Sequence, residues 1–547
     1  PRGARLWGAV ERLPLLLGPV RAMVVSGRSP ARFRAAPDDP LHGDPEMGRT
    51  LLAGTLPGRG GASGVGRGEP WRELAKRAPD HQAFVHSFDW LADLAAVDQP
   101  AAETLAVGLI RDWVALYGTV QAVAWHRQTI ARRLINWISQ ARLVQRAATQ
   151  SVGDHALSSM ARQARYLAAA RGRGDPLPDR IMSVAALVMT AAALDVSGLR
   201  PAGLMRELRG LTGAFLLPDG GPLSRQPGHA VAVLRLLVLV RETRRQCGLT
   251  PPEWLDRRLT DLAAFLATIR LGPGGLMRVN AGTALPSSVI DRLLAAAGPA
   301  PAPLNGARHT GFERMEAAGV VCLVDAGPPP PPALSARAGA GTLGFELSDG
   351  DHLLVSNMGS ASRQSVPAKL EAAARTTAAH STLVLDDTNS TRIEADGLRR
   401  GVETVWCKRA HSQEGTLLDL RHDGYRHRFG AFHGRSLFLS GAGDRLTGID
   451  TVRAVRRAIK AGRGDIRFHL HPAVEVTLSQ DGLSAYLMHA GGRPWRFRSA
   501  GVAVRVEESL YIDPDDGPVR AKQLVLRIEP AAPETKIRWV FERYRRG

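Results

Sequence analysis

The stretch Ile466-Arg467-Phe468-His469-Leu470-His471-Pro472-Ala473-Val474-Glu475-Val476-Thr477-Leu478-Ser479-Gln480-Asp481-Gly482 decides the architecture of the C-terminal half. Ile466, Phe468 and Leu470 alternate with Arg467, His469 and His471. Val474, Val476 and Leu478 alternate with Glu475 and Thr477. Successive side chains of a strand point to opposite faces, so each run reads as a strand with one covered face. Asp481-Gly482 then supplies a hairpin turn.

The same period returns in both directions. Val502, Val504 and Val506 alternate with Ala503 and Arg505, and Trp495 and Phe497 straddle Arg496. Period two in segment after segment predicts an antiparallel β-sandwich from near residue 310 onward. Upstream the period changes. Phe84, Phe88, Leu91 and Ala95 recur at helical spacing, as do Ile130, Leu134, Trp137 and Ile138. Leu255, Leu259, Leu262, Leu266 and Ile269 form an amphipathic stripe. Ile181–Leu194 and Ala230–Val240 are apolar all round and must be covered all round. Alternating covered and half-exposed helices predict an N-terminal α/α toroid, an incomplete helical barrel, with a plain bundle as the competing arrangement. The expected domains are an irregular Arg/Gly/Pro-rich arm over 1–70, a helical toroid over 71–300 and a sandwich over 309–547. The hinge falls at Pro299–Arg308. No sequence repeat is legible beyond loose helix-pair periodicity.

At 547 residues the chain exceeds one ordinary core. Its net charge of +19 attracts polyanions. Nucleic acid is disfavoured, because no basic helix carries base-reading side chains and only 5% of residues are aromatic. The longest apolar runs fall short of a bilayer span, so no integral membrane helix is expected. Leu13–Val25 is apolar but interrupted by Arg21 and followed by no cleavage site, so no clear signal peptide is read. Cys247, Cys322 and Cys407 are too few and scattered for a disulfide framework and read as packed thiols. No phosphate loop, zincin helix or nucleophile elbow is present.

The residues with chemistry cluster in three places. Arg375 and His380 stand in Ala374-Arg375-Thr376-Thr377-Ala378-Ala379-His380-Ser381-Thr382, at the entrance of the apolar triplet Leu383-Val384-Leu385. His422-Asp423-Gly424-Tyr425 joins an imidazole and a phenol in a turn. Leu216–Gly228 is a polar loop between apolar helices, carrying Arg225 and Gln226 just before His229. His469 and His471 share a strand face but lack a third ligand at usable spacing, so a solvated face is expected rather than a metal site.

These segments, with Gly344-Phe345-Glu346-Leu347-Ser348-Asp349-Gly350, Phe88-Asp89-Trp90-Leu91 and Pro218-Asp219-Gly220-Gly221, resemble the heparinase II/III-like family. The resemblance runs over most of residues 80–547. It implies a toroid followed by a sandwich, and β-elimination of uronic-acid-containing acidic polysaccharides. Such elimination removes the C5 proton and expels the C4 oxygen. It needs a neutralised carboxylate, a base and an acid. By resemblance, His380, Tyr425 and His229 are the catalytic candidates, and Arg225, Gln226, Arg375 and His422 bind substrate. The family's Tyr-His pair after the proline is here Gly228-His229, without Tyr. Its His before the Phe-Glu strand is missing from Ala338-Gly339-Ala340-Gly341-Thr342, and Asn357 stands where an acidic ligand is expected. No metal of the family type and no cofactor are therefore expected. The expected partner is an acidic polysaccharide, acted on by a lyase with a rearranged site or held by a noncatalytic envelope protein with a degenerate one. The resemblance places the protein in the cell envelope or periplasm, with the cytoplasm open for want of a signal. Nothing in the sequence sets an oligomeric state.

Overall fold

The computed structural model describes residues 18–56, 63–64, 71, 79–120, 123–150, 155–172, 174–280, 285–299, 302–360, 366–456, 458–513 and 517–544. The chain divides into two compact units. One comprises Pro1–Phe215, Ala232–Thr260 and Ala295–Gly298. The other comprises Leu216–Val231, Asp261–Leu294 and Pro299–Gly547.

The first unit is helical. Pro100–Tyr117, Arg127–Ser139, Ala141–Thr149, Ala156–Ala170, Leu177–Leu194 and Pro201–Phe215 follow one another through short connections. Prolines at the starts of Pro100–Tyr117 and Pro201–Phe215 sit where a helix needs no N–H. Leu177–Leu194 has the length and apolar content of a membrane span, but it is mostly covered by the rest of the protein, as a core helix is. The helical run over Phe84–Ala95 is broken. Pro79–Ser87 and Leu91–Ala95 are separate helices, because Phe88 adopts φ +59° between them. Its ring is fully buried against Trp90 and Trp137, which repays the strained backbone. The buried Arg133 donates to His86 O, Ala124 O and Gln163 Oε1, with its guanidinium 4.0 Å from the Trp113 ring. The N-terminal arm is less irregular than expected, with helices at Gly18–Val25 and Pro45–Leu52. Residues 13–17 of the apolar stretch, and most of Gly54–Gly68, lie outside the described residues.

The second unit holds two antiparallel sheets. In the eight-stranded sheet the order is Val405–Ser412, Gly415–His422, Ala431–Ser440, Arg445–Ala454, Glu534–Arg543, Trp495–Ser499, Ser484–His489 and Val474–Leu478. The nine-stranded sheet runs Val504–Asp513, Gly517–Ile528, Gly464–Leu470, His352–Ser356, Phe345–Asp349, Val320–Asp325, Phe312–Ala317 and Gly306–Ala307. Leu383–Leu385 joins it beside Gly464–Leu470. The expected hairpin forms, with Gly482 at φ +65° and Asp481 accepting from Leu483 N.

Residues of alternate parity from both sheets meet in one core. Phe345, Phe468, Phe497, Trp539 and Phe541 are its aromatic centre, with ring centroids of Phe468 and Trp539 4.8 Å apart. Burying each such side chain is worth about 1.5–3 kcal/mol. One charged network crosses this core. Arg435 pairs with Asp450, and both His433 and Trp539 also bond that carboxylate. Asp450 is held well below the usual carboxylate range; burial opposes this, but Arg435 and His433 outweigh it.

The second unit also contains a local repeat that sequence reading does not find. In Leu217–Gly221, Leu217 N donates to Gly221 O and Gly220 N to Leu217 O. In Leu271–Gly275 the same two bonds recur, from Leu271 N to Gly275 O and from Gly274 N to Leu271 O. Each turn is closed by a bridge, Leu216 to Pro222 and Arg270 to Leu276. Gly220 and Gly274 take φ +80° and +86°, the left-handed region that favours glycine. Cys407 departs from the packed-thiol expectation. The residue lies on an exposed strand, although its thiol turns inward and is pushed up to about 12 by burial and Glu313.

Candidate functional site

The second unit contains a cavity of about 210 Å³ lined by Arg278, Asn280, Arg337, Ser360, Arg375 and His380. Arg375 and His380 are brought there by the turn that precedes Leu383–Leu385. Thr377 Oγ1 and Ser390 Oγ both donate to Ala340 O, and Ala340 N donates to Arg375 O. Arg435 Nη1 donates to Ser381 O, so the buried ion network braces the residue beside His380. Ser381 in turn donates from N to Asn357 Oδ1 and from Oγ to Ser356 O. Gly341 is required here: a Cβ would lie 2.3 Å from His380 Cδ2.

His380 is buried, and burial lowers its pKa despite the Thr376 carbonyl. Its Nδ1 lies 2.7 Å from Thr376 O, an acceptor only. Nδ1 therefore carries the proton, and the neutral ring keeps its lone pair on Nε2. Arg375 donates from Nε to Ala338 O, while its buried Nη2 has no acceptor. Burial and the nearby charge of Arg337 both push its pKa down. Arg337 also lies 3.7 Å from Glu371, an exposed pair that offsets little of this field. Arg278 donates to Tyr511 Oη, Met358 O and Ile512 O, and lies 4.1 Å from the Tyr511 ring. Its Nε is buried without an acceptor, as is Ser360 Oγ. Asn280, at φ +50°, accepts from Gly339 N and donates to Arg225 O. The wall thus carries three guanidinium groups, Arg278, Arg337 and Arg375, against one carboxylate, Glu371, an excess of positive charge that suits a carboxylate or sulfate group.

The other expected site residues lie elsewhere. All five N–H groups of Arg225 are engaged: Nε with Thr310 O, Nη1 with Gly327 O and Pro328 O, Nη2 with Gly311 O and Asp325. Both members of the Arg225–Asp325 pair are buried. None of its donors is left for a substrate carboxylate, so Arg225 is a brace, and the buried Gln226 adjoins it. Tyr425 is fully buried, and its hydroxyl donates to Leu383 O at 2.8 Å. Burial raises its pKa. His422 is buried too, accepting from Gly424 N on Nδ1 and meeting His433 through Nε2 at 3.2 Å. His229 Nδ1 lies 2.8 Å from Ser224 Oγ; burial and Arg337 lower its pKa to about 4. His229 therefore feels the cavity's charge without lining the cavity. His469 is buried rather than solvated, between Ser509 Oγ and Ala378 O. Among the described residues no group of three or more His, Cys, Asp and Glu is placed to hold a metal.

Sequence reading missed Arg278, Asn280 and Arg337. The signal for the first two was the recurrence of a Gly-Gly turn ahead of an arginine, Gly220-Gly221 before Arg225 and Gly274-Gly275 before Arg278.

Helices joined by short connections, followed by a two-sheet antiparallel sandwich, define an α/α-toroid and β-sandwich protein. The fold of heparan sulfate lyase HepC from Pedobacter heparinus is similar, at TM-score 0.62 and 14% identity over 96% of this chain and 87% of that one. A Streptomyces coelicolor A3 chondroitin AC lyase, solved with chondroitin sulphate, matches at TM-score 0.53 and 12% identity, over 92% and 79%. Residues 299–540 match the family profile described as heparinase II/III-like, C-terminal. FtsZ-localized protein C of Caulobacter vibrioides is 30% identical over 566 aligned positions, covering 98% of this chain and 96% of that protein. The chain belongs to the heparinase II/III-like family.

Proposed function

We propose that this protein holds an acidic, uronate-bearing polysaccharide at the Arg278–Arg375–His380 cavity and does not cleave it. One observation carries this reading. Three guanidinium groups, those of Arg278, Arg337 and Arg375, line the cavity against the single carboxylate of Glu371, whereas the Tyr425 hydroxyl is committed to Leu383 O. Elimination needs a base and an acid in reach of one sugar ring. His380 offers a proton-transfer group, the Glu371 carboxylate in the same wall lies beside Arg337, and the phenol of Tyr425 is sealed in the core. Binding needs only the donors. The Caulobacter relative is named for its localisation with FtsZ rather than for a cleavage, which agrees with a recognition role. The place of work follows from the ligand, and is the cell envelope, where acidic glycans are found.

A second reading, a lyase with a rearranged site, is favoured by the neutral His380 ring with its lone pair on Nε2. The two readings separate in one experiment. Heparan sulfate, chondroitin sulfate and polyuronate oligosaccharides are titrated by calorimetry, while ultraviolet absorbance follows unsaturated product. Binding with no rise in absorbance supports recognition alone. A rise that disappears in His380→Ala replaces it with the lyase reading, and neither binding nor absorbance with any of the three overturns both.

A further inference from the structure

The geometry points to the outer edge of the eight-stranded sheet as a docking site for an acidic, extended polypeptide segment that adds to Val405–Ser412 as a further strand. Val405–Ser412 is the terminal strand, paired with Gly415–His422 along all eight residues with no bulge. Among the described residues, no backbone hydrogen bond reaches its other side. The two-residue loop Gln413-Glu414 fixes the parity. The pair flanking such a loop, Ser412 and Gly415, exchanges the inward bonds, so Val405, Cys407, Arg409 and His411 turn N–H and C=O outward. A free rail of this length is a template for another strand.

A second feature lies beside the rail. Arg421 stands opposite Trp406 in the ladder. Its guanidinium carbon is 4.3 Å from the Trp406 ring centre and 5.0 Å from that of Phe432. The two rings meet edge-on at 5.9 Å. Clamped between aromatics, Arg421 has a buried Nε without an acceptor, while Trp406 remains 40% exposed. Cation–π contact holds the guanidinium in place without neutralising it, so a carboxylate laid along the edge pairs with its charge. Arg426 and Arg428 follow in the short helix next to this end of the strand. Asp419 pairs in register with Lys408 and accepts from Ser436 Oγ at 2.7 Å, and exposed Glu403 and Glu414 flank the strand's two ends.

The charge also selects the occupant. Exposed Lys408 on the edge repels a second copy of the same edge, the usual guard against self-pairing, and admits an acidic strand. The neighbouring Arg409 turns inward and is paired with Glu313, so Lys408 is the charge of the two left on the edge. A polypeptide, not a glycan, matches the outward groups, because only an extended backbone answers N–H and C=O pairs repeating every ~6.8 Å, two residues of strand.

The test uses the full chain and a fluorescein-labelled Glu-Thr-Glu-Val-Glu-Thr-Glu-Val peptide at low ionic strength. Anisotropy gives affinity, and amide hydrogen exchange gives the place of binding. Saturable binding with slowed exchange within Val405–Ser412 is expected. Arg421→Gln is expected to weaken it about tenfold, as loss of a charge-assisted hydrogen bond does. His411→Pro, which removes one outward N–H, is expected to weaken it similarly. If circular dichroism shows that the proline variant is unfolded, the exchange map and Arg421→Gln decide. No binding, unchanged exchange in that strand, or native affinity in Arg421→Gln overturns the inference. So does equal binding of a Lys-Thr-Lys-Val repeat. Displacement by heparin oligosaccharide with the same protection pattern makes this edge a glycan platform instead.

Discussion

Two turns of one design end in two arginines of different use. Leu217–Gly221 leads to Arg225, and Leu271–Gly275 leads to Arg278. Both guanidinium groups are buried, and both lie over an aromatic ring, Phe312 at 4.8 Å and Tyr511 at 4.1 Å. Arg225 has an acceptor for every N–H and a carboxylate partner in Asp325. Arg278 lacks an acceptor on Nε and faces the cavity. Residue type, loop context and burial are the same. The difference lies in the count of satisfied donors, and it separates a brace from a candidate ligand-binding group. That count is a property of distant carbonyls, in Arg225's case those of residues 310, 311, 327 and 328.

The comparison breaks first on stability. Arg225→Ala leaves the buried Asp325 unpaired and removes a donor from four carbonyls, of which Gly311 O keeps Ala326 N. It should cost about 3–5 kcal/mol in urea unfolding. A loss within 0.5 kcal/mol, about the size of an ordinary surface substitution, would show that the pair is not a brace. Arg375→Ala tests the other class. It removes one unsatisfied donor and one bond, from Nε to Ala338 O, so stability should fall by only about 1 kcal/mol while affinity for acidic oligosaccharides falls about 10–100-fold, the value of a charged hydrogen bond at about 1.5–3 kcal/mol. An unchanged affinity would remove Arg375 from the site.

A pH series sharpens the contrast. His469 has its pKa lowered to about 3, by burial first, with the Ala378 carbonyl acting the other way. Above its ordinary value of ~6.5 the ring is neutral both folded and unfolded. As pH falls below that, only the unfolded chain takes the proton, so stability drops until pH passes the folded-state value. The slope is about 1.4 kcal/mol per pH unit for this one ring. His469→Gln should flatten the urea midpoint between pH 6.5 and pH 5 by about that slope. Glycan affinity should stay level from about pH 6.5 to 8.5, because arginine does not titrate there and His380 is already neutral. Affinity that climbs as pH falls through this range would make a histidine the ligand instead. The smallest effect belongs to Tyr425→Phe. Its hydroxyl bonds only a core carbonyl, so about 1 kcal/mol of stability should go and glycan affinity should not change.

Much of the architecture was legible because periodicity is a local property. Alternation at Ile466–Leu470 and Val474–Leu478 located strands, and the apolar runs at Ile181–Leu194 and Ala230–Val240 located covered helices. Phe84–Ala95 misled, because four aromatic rings hold Phe88 at a left-handed φ that no helical pattern announces. The site was harder to see. Arg375 and His380, which line the cavity, precede a strand within one segment. Arg278, Asn280 and Arg337 join them only through the fold. Tyr425 and His422 looked accessible in a polar turn, yet the turn folds inward against Leu383 O and His433.

The order of polar and apolar residues alone determined that this chain would build helices and then strands, since each element's exposed and covered faces are written at fixed spacing along it. Which of its many arginines and histidines keep an unanswered donor or a reachable lone pair was decided only in three dimensions. Hydrogen-bond satisfaction depends on carbonyls and carboxylates brought from as far as 234 residues away, and no local pattern records their arrival.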